Sequence, residues 1–395
     1  MSKDISFWLG SYSAPQDSGV YACAFHPDTG FRILRGYPGF TNPSYVLPHP
    51  FLPVLYSAEE TQNGAVHAWR VDPDGISRLS GAATGGADPC HLSLWQDHLF
   101  AANYSSGSVA VFSLGGAGEI RERTDLKIHA GHGPNPARQE GPHAHCCFPW
   151  QDFLCVCDLG LDAIVLYGLE EGKLVERTRF QAPAGSGPRH LAAHPAFPSL
   201  LYCVTELTGE LLVLQPEGAE LRLLRRIPMV PDNFDGLNTA AAIHFTEDEQ
   251  SLLVSHRGLD AIAVFPVDAR GLPGEPVLSP CVRESRERRT AGTQTLPERL
   301  TRRNRKDSAS ASRAQTGSPR RRNRRPSRLT PRRSFGRTYR RLKLRRRKKN
   351  KTFVGSSSLD ASIALVPQGW VRIDSRPAFR IKRQGRLRRS KSKTA

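Results

Sequence analysis

Three side chains in the middle of the chain have the types needed to move a proton, namely His143, His145 and Glu206. An imidazole or a carboxylate can take a proton from an attacking water molecule or from a substrate group. Each has a structural alternative, since a histidine can cap backbone carbonyls at a strand start and a glutamate can be a solvated turn residue. The two histidines form a His-Ala-His segment without a carboxylate at a metal-binding offset. We therefore expect a metal-free hydrolase that needs no cofactor.

Two arginines, Arg189 and Arg257, are candidates for binding an anion. A guanidinium can hold a phosphate or a carboxylate through paired N–H donors. The alternatives are a salt bridge between neighbouring elements for Arg189 and an exposed turn position for Arg257. His190 and His244 are further candidates for contacting substrate, although a buried structural histidine is the competing interpretation of both. The expected partner is a small anionic substrate.

The elements that position these residues form a repeat. A short apolar run, a small polar turn and a second apolar run recur six times, which is typical of β-hairpins. The copies lie at residues 7–25, 55–71, 99–114, 154–169, 201–216 and 252–267.

A second segment precedes five of the hairpins, and four copies carry a proline, at Pro43, Pro89, Pro142 and Pro188. The spacings between these prolines are 46, 53 and 46 residues. A unit of this length, with about four short strands and no helical periodicity, predicts an all-β fold of the β-propeller class. In a propeller these segments line the central channel, so their polar side chains should converge at one mouth.

The segments GPHAHCCFP, GPRHLAAHP with LYCVTELTGELLVL, and AAIHF with LLVSHRGLDAIAVF resemble the seven-bladed β-propeller lactonases. That family includes bacterial propeller-type 6-phosphogluconolactonases and fungal-type carboxy-muconate lactonizing enzymes. The resemblance extends over about residues 5–280. It implies a catalytic mouth formed by a histidine of the His-Ala-His segment, Arg189, Glu206 and Arg257, and it leaves open which of His143 and His145 is meant.

The resemblance also implies an activity. A lactonase of this kind would hydrolyse 6-phosphoglucono-δ-lactone in the pentose phosphate pathway, with arginines on the phosphate and the carbonyl and a histidine or glutamate activating water. The alternatives are a muconate lactonizing enzyme of the same fold and a propeller that serves as a non-catalytic scaffold, because a fold alone does not establish activity.

The resemblance ends near residue 282, where a seventh hairpin is expected. Residues 281–395 hold 38 Lys and Arg against 6 Asp and Glu, whereas residues 1–280 have a net charge of −13. The acidic front part therefore lacks the basic face of a DNA-binding protein. We divide the chain into an incomplete propeller, residues 1–282, and an Arg-rich tail, residues 283–395, which is expected to be disordered.

Three interpretations of the tail compete: a nucleic-acid-binding segment that releases counterions from phosphates, a regulatory segment, and the translation of a shifted reading frame. We favour the shifted frame because the break falls inside a repeat unit.

The eight cysteines lack paired spacing, which favours free, mostly buried thiols in a reducing cytoplasm. No apolar stretch is long enough to span a membrane. The sequence does not indicate an oligomeric state.

Overall fold

A computed structural model describes residues 4–217 and 220–281. The disorder expected of the tail, and the three interpretations of it, concern residues that lie outside this part. The described residues form 23 β-strands in six antiparallel sheets and contain no helix that could cross a membrane. The prediction of an all-β propeller is confirmed.

Each sheet is one blade, and its strands follow chain order from one edge to the other. Blade 1 has three strands: β1 (Ile5–Gly10), β2 (Val20–His26) and β3 (Gly30–Tyr37). Blade 2 has four: β4 (Val46–Pro48), β5 (Val54–Glu59), β6 (Ala65–Asp72) and β7 (Gly75–Ala83). Blade 3 consists of β8 (Pro89–Trp95), β9 (His98–Asn103), β10 (Ser108–Leu114) and β11 (Ile120–Ile128).

The other three blades repeat the four-stranded plan. Blade 4 consists of β12 (Ala144–Trp150), β13 (Phe153–Asp158), β14 (Ala163–Glu170) and β15 (Lys173–Gln181). Blade 5 consists of β16 (Pro188–His194), β17 (Phe197–Thr205), β18 (Glu210–Glu217) and β19 (Glu220–Pro228). Blade 6 consists of β20 (Thr239–Phe245), β21 (Ser251–Arg257), β22 (Ala261–Pro266) and β23 (Val277–Pro280).

The six repeated hairpins are the pairs β1–β2, β5–β6, β9–β10, β13–β14, β17–β18 and β21–β22. The segments that precede them are the first strands of blades 2 to 6. These first strands contact one another from blade to blade, β8 with β12 and β12 with β16, as the inner strands of a propeller do. Blade 1 begins directly with its hairpin, so within the described residues it has no inner strand.

The core lies between the blades. Five apolar clusters of buried side chains occupy the five interfaces between consecutive blades, from blades 1 and 2 to blades 5 and 6. Each inner blade therefore buries both of its faces, which explains why its hairpin strands are apolar in continuous runs. All eight cysteines are free thiols, and six of them are buried, on β2, β12, β13 and β17.

The seventh repeat that the family pattern predicts is not found among the described residues, where blade 6 is the last sheet. This agrees with the break seen in the sequence near residue 282.

Candidate functional site

Every blade has an equivalent position at or just beyond the end of the first strand of its hairpin, and the candidate site is formed around these positions. In chain order this position holds Tyr12, Glu60, Tyr104, Leu159, Glu206 and Arg257. Because the blades are arranged around one axis, these residues lie at the same end of the channel. Two pairs along this ring are in contact: the Tyr12 hydroxyl donates to Glu60 Oε1 at 2.9 Å, and Arg257 Nη2 lies 3.0 Å from Glu206 Oε2.

Glu206 is the centre of the site. Its side chain is only 4% exposed, and three guanidinium groups surround its carboxylate. Arg189 Nε donates to Oε2 at 2.8 Å, Arg138 Nη2 donates to Oε1 at 2.6 Å, and Arg257 completes the set. We call these four residues the Glu206 cluster. It brings together three of the residues singled out in the sequence, from blades 5 and 6.

The charges of the cluster determine the protonation state of Glu206. Burial acts to raise the pKa of its carboxyl, but Arg189, Arg257 and the hydrogen bond from Arg138 outweigh burial and lower the pKa to about 2. Glu206 is therefore ionised at neutral pH and is a weak base. One carboxylate facing three cations leaves a net positive site, which can bind an anion or stabilise a developing oxyanion.

His143 immediately precedes the inner strand β12. Its Nδ1 lies 3.1 Å from the backbone carbonyl oxygen of Tyr104, and its ring stacks on the Tyr104 ring with centroids 4.5 Å apart. A carbonyl oxygen only accepts, so His143 Nδ1 donates to it and the ring orientation is fixed. Nε2 lies 3.3 Å from Oε1 of the exposed Glu140 carboxylate.

His145 lies deeper, on β12 itself. Its ring packs against the rings of Tyr104 and His190, and its Nδ1 is 3.8 Å from Cys90 Sγ. Burial, aided by the charge of Arg189, lowers the pKa of His145 well below the usual value. It is therefore a neutral side chain of the channel wall.

His190, on β16, has the same character as His145. Its ring meets those of His91 and His145, and burial followed by Arg189 lowers its pKa well below the usual value. His244, on β20, is partly buried, which lowers its pKa, and it contributes to lowering the pKa values of His91 and His190. The structure thus places His190 beside the Glu206 cluster, where its Nε2 is 3.3 Å from Arg189 Nη1, and His244 farther along the channel wall.

The buried aspartates of blade 4 hold the site in shape. Asp158 Oδ1 accepts the backbone N–H groups of His143 at 2.8 Å and Leu161 at 3.1 Å, so it shapes the hairpin turn. Asp162, with a φ of 51°, accepts the N–H groups of Gly185 and Gly187. These bonds tie the loop before β12 to the loop before β16, and thereby fix His143 relative to Arg189.

Two residues of the site were not predicted, Arg138 and Tyr104. Arg138 lies in the segment between β11 and β12, which is the longest connection between described blades. The signal was present in the sequence, because this segment accounts for the one repeat spacing of 53 rather than 46 residues. Tyr104 could have been found by aligning the hairpins, since it occupies the same position as Glu206.

The comparisons with known proteins agree with this geometry. Residues 6–273 match the family model described as lactonase, seven-bladed β-propeller. A 6-phosphogluconolactonase of Bacillus subtilis is 33% identical over 280 residues, which are 68% of this chain and 79% of that protein.

Two solved structures are also similar. A putative 6-phosphogluconolactonase of Bacteroides fragilis is 28% identical with a TM-score of 0.64, covering 71% of this chain and 83% of its own. A periplasmic gluconolactonase of Pseudomonas aeruginosa is 29% identical with a TM-score of 0.64, covering 69% and 82%. These relatives support a lactone-hydrolysing activity. The chain belongs to the seven-bladed β-propeller lactonase family.

Proposed function

We propose that this protein hydrolyses 6-phosphoglucono-δ-lactone to 6-phosphogluconate, with the Glu206 cluster as the site of reaction. The observation that carries the proposal is the buried carboxylate of Glu206 holding Arg189 and Arg257, with the ring of His143 oriented nearby by the Tyr104 carbonyl oxygen. The 6-phosphogluconolactonase of Bacillus subtilis supports the choice of substrate. The same relative supports a role in the pentose phosphate pathway of the cytoplasm.

The proposed chemistry assigns the carbonyl to the two inner arginines. Arg189 and Arg257 polarise the lactone C=O bond, and they stabilise the oxyanion that forms when water adds to the carbonyl carbon. Glu206 orients both guanidinium groups, and its low pKa makes it a poor proton acceptor. Because the arginines are already fixed before substrate arrives, they need no reorganisation during the reaction.

Proton transfer is assigned to His143. Its Nε2 takes a proton from the attacking water as the C–O bond to that water forms. When the tetrahedral intermediate collapses, the ring C–O bond breaks and His143 returns the proton to the leaving ring oxygen. The product is a carboxylic acid with a free hydroxyl group, and the acid ionises in water. His145 is less suited, because its lowered pKa disfavours the protonated form.

The test is hydrolysis of freshly prepared 6-phosphoglucono-δ-lactone by the full chain, measured as acid release above the spontaneous rate. We expect clear turnover, and we expect His143→Gln to lower kcat by about 100-fold or more, the usual contribution of a general base. His49→Gln is the matched control, because His49 Nδ1 only accepts the backbone N–H groups of Phe51 and Leu52.

Glucono-δ-lactone and a muconolactone serve as comparison substrates. Turnover of the muconolactone alone would favour the lactonizing-enzyme alternative. A full chain that accelerates the opening of neither sugar lactone would refute the proposed function, whereas equal activity of wild type and His143→Gln would refute only the role of His143.

A further inference from the structure

The segment between β11 and β12, residues 129–143, places a third cation at the Glu206 cluster. The other connections between described blades are shorter, and none contributes a side chain that hydrogen-bonds Glu206. The extra length of this segment allows Arg138 to reach Glu206 Oε1 at the channel mouth. Since the hairpins of all six blades are alike, this segment is a specialisation of one blade.

The segment is held in place by buried bonds. Gln139 is fully buried, and its Nε2 donates to the carbonyl oxygen of Leu159 at 2.9 Å and to Asp162 Oδ1 at 2.8 Å. Close backbone approach adds to this, because a Cβ at Gly160 would collide with the carbonyl oxygen of Gly141. Arg138 is therefore presented by a fixed loop, and its position is set before any ligand binds.

Arg138 differs from the other two arginines in exposure. Its side chain is 37% exposed, compared with 13% for Arg189 and 29% for Arg257. Both of its side-chain hydrogen bonds, to Glu206 Oε1 and to the Tyr104 hydroxyl at 3.3 Å, use Nη2. A guanidinium has five N–H donors, so the remaining ones are available to a ligand that enters from solvent.

Arg189 is less able to take that role. Its Nε is bonded to Glu206 and its Nη1 lies 3.3 Å from His190 Nε2, so its donors are directed within the buried cluster. In a phosphorylated sugar lactone the phosphate is carried on the exocyclic carbon, several bonds from the carbonyl. The groups that bind the two ends must therefore differ, with the inner arginines at the carbonyl and an outer cation at the phosphate.

We propose that Arg138 determines specificity for phosphorylated over unphosphorylated sugar lactones by binding the phosphate group at the channel mouth. This inference rests on the proposed function, since it assigns the phosphate end of the same substrate. A phosphate dianion accepts two parallel N–H bonds from one guanidinium, which gives both strength and direction. Tyr104 and Glu206 act as positioning groups for Arg138.

The experiment compares kcat/KM for 6-phosphoglucono-δ-lactone with kcat/KM for glucono-δ-lactone, using the full chain and two variants. We expect Arg138→Gln to lower the ratio of the two values by about 30-fold, mainly through a higher KM for the phosphorylated lactone. Arg138→Lys should restore part of the ratio, because a lysine keeps the charge but loses the paired donors. Arg226→Gln is the matched control, since Arg226 is a half-exposed arginine bonded to Glu210 away from the cluster.

An unchanged ratio in Arg138→Gln, with both substrates slowed equally, would overturn the inference and leave Arg138 as a positioning residue for Glu206. If wild type turns over neither lactone, the proposed function fails and titration calorimetry with 6-phosphogluconate and gluconate tests Arg138 by itself. Preferential binding of 6-phosphogluconate that Arg138→Gln removes would support the inference, and binding that the variant leaves unchanged would overturn it. Thermal melts of both Arg138 variants identify any loss of folding. If Arg138→Gln does not fold, the ratio measured for Arg138→Lys tests the inference.

Discussion

The hairpins of blades 4 and 6 share the turn sequence Gly-Leu-Asp-Ala-Ile but have different surroundings. Blade 4 reads CDLGLDAIVLY and blade 6 reads SHRGLDAIAVF. In blade 4 nearly every residue of β13 and β14 is buried, whereas in β21 and β22 buried residues alternate with partly exposed ones. Blade 4 has neighbours on both faces, and blade 6 has one described neighbour, blade 5. The difference in burial therefore comes from the neighbours and not from the residues.

Blade 1 shows the same one-sided burial. Five of its large apolar side chains are exposed, namely Ile5, Phe25, Phe31, Ile33 and Leu34. The candidate site lies mostly on blades with described neighbours on both faces. Tyr104, His143, Arg189 and Glu206 belong to blades 3 to 5 or their connections, whereas Arg257 belongs to blade 6.

Lowering the pH should destabilise the inner blades, where three neutral histidines lie, and we expect this effect to be the largest. Burial, followed by the charge of Arg189, lowers the pKa of His91 to about 3, and the pKa values of His145 and His190 are lowered as well. Because the unfolded chain binds these protons below about pH 6.5, stability is full above that pH and falls as the pH drops. His91 alone should lower the free energy of unfolding by about 3 kcal/mol by pH 4, and His145 and His190 act in the same direction.

The measurement is the free energy of unfolding by denaturant between pH 8 and pH 4. His91→Gln should make the decline shallower, although the glutamine must also replace the bonds of His91 with Tyr45 and Cys147. A stability that stays constant from pH 6.5 to pH 4 would contradict the buried, neutral state of these histidines.

Removing the central charge should have the next largest effect. Glu206→Gln leaves three arginines around a neutral amide, and the loss of a buried ionic partner costs about 3–5 kcal/mol. Glu176→Gln is the matched control, since the Glu176–Arg179 pair is exposed and should change stability by about 0.5 kcal/mol or less. Denaturant unfolding of both variants gives the comparison, and similar small losses would show that the cluster is not a buried ionic network.

Matched truncations test the two environments directly. Leu212→Ala on β18 removes a fully buried side chain between blades 4 and 5 and should cost about 3 kcal/mol. Leu253→Ala on β21 removes a partly exposed side chain of blade 6 and should cost about 1 kcal/mol. Equal losses of unfolding free energy would mean that the outer face of blade 6 is covered as well as an inner blade is.

We expect the smallest effect in amide hydrogen exchange, which compares the strands of blade 4 with those of blade 6. We expect amides of β13 and β14 to be protected about tenfold more than those of β21 and β22, since blades packed on one face open locally at lower free energy. The same openings should make blades 1 and 6 the first sites of limited proteolysis and the first to aggregate through their apolar faces. Uniform protection across all six blades would contradict this expectation.

Much of this molecule could be predicted from the residues. The alternation around short turns identified the six hairpins, and the prolines located the inner strands, because both signals are local. Arg189, Glu206 and Arg257 were predicted from their places in the repeat, and the structure joins them although Arg257 and Glu206 belong to different blades. Arg138 was missed because it lies in a connecting segment that no repeat marks, far along the chain from its partner Glu206.

The sequence also could not separate the roles of His143 and His145. The two residues are alike in type and close together in the chain, but one has its Nδ1 at a backbone carbonyl and the other packs against Cys90 and His190. That distinction arises from the bend where the loop enters β12 and from the neighbouring blade, both of which are tertiary features.

The most direct test of the account is the hydrolysis of 6-phosphoglucono-δ-lactone by Arg189→Ala and Arg189→Lys beside the wild-type chain. Arg189 is the most buried arginine of the Glu206 cluster. In the proposed reaction its loss removes a charge-assisted partner of the lactone carbonyl. We predict that Arg189→Ala lowers kcat/KM by about 30- to 1000-fold, equivalent to about 2–4 kcal/mol, and that Arg189→Lys recovers only part of it. Unchanged kcat/KM in a folded Arg189→Ala protein would show that the reaction takes place elsewhere.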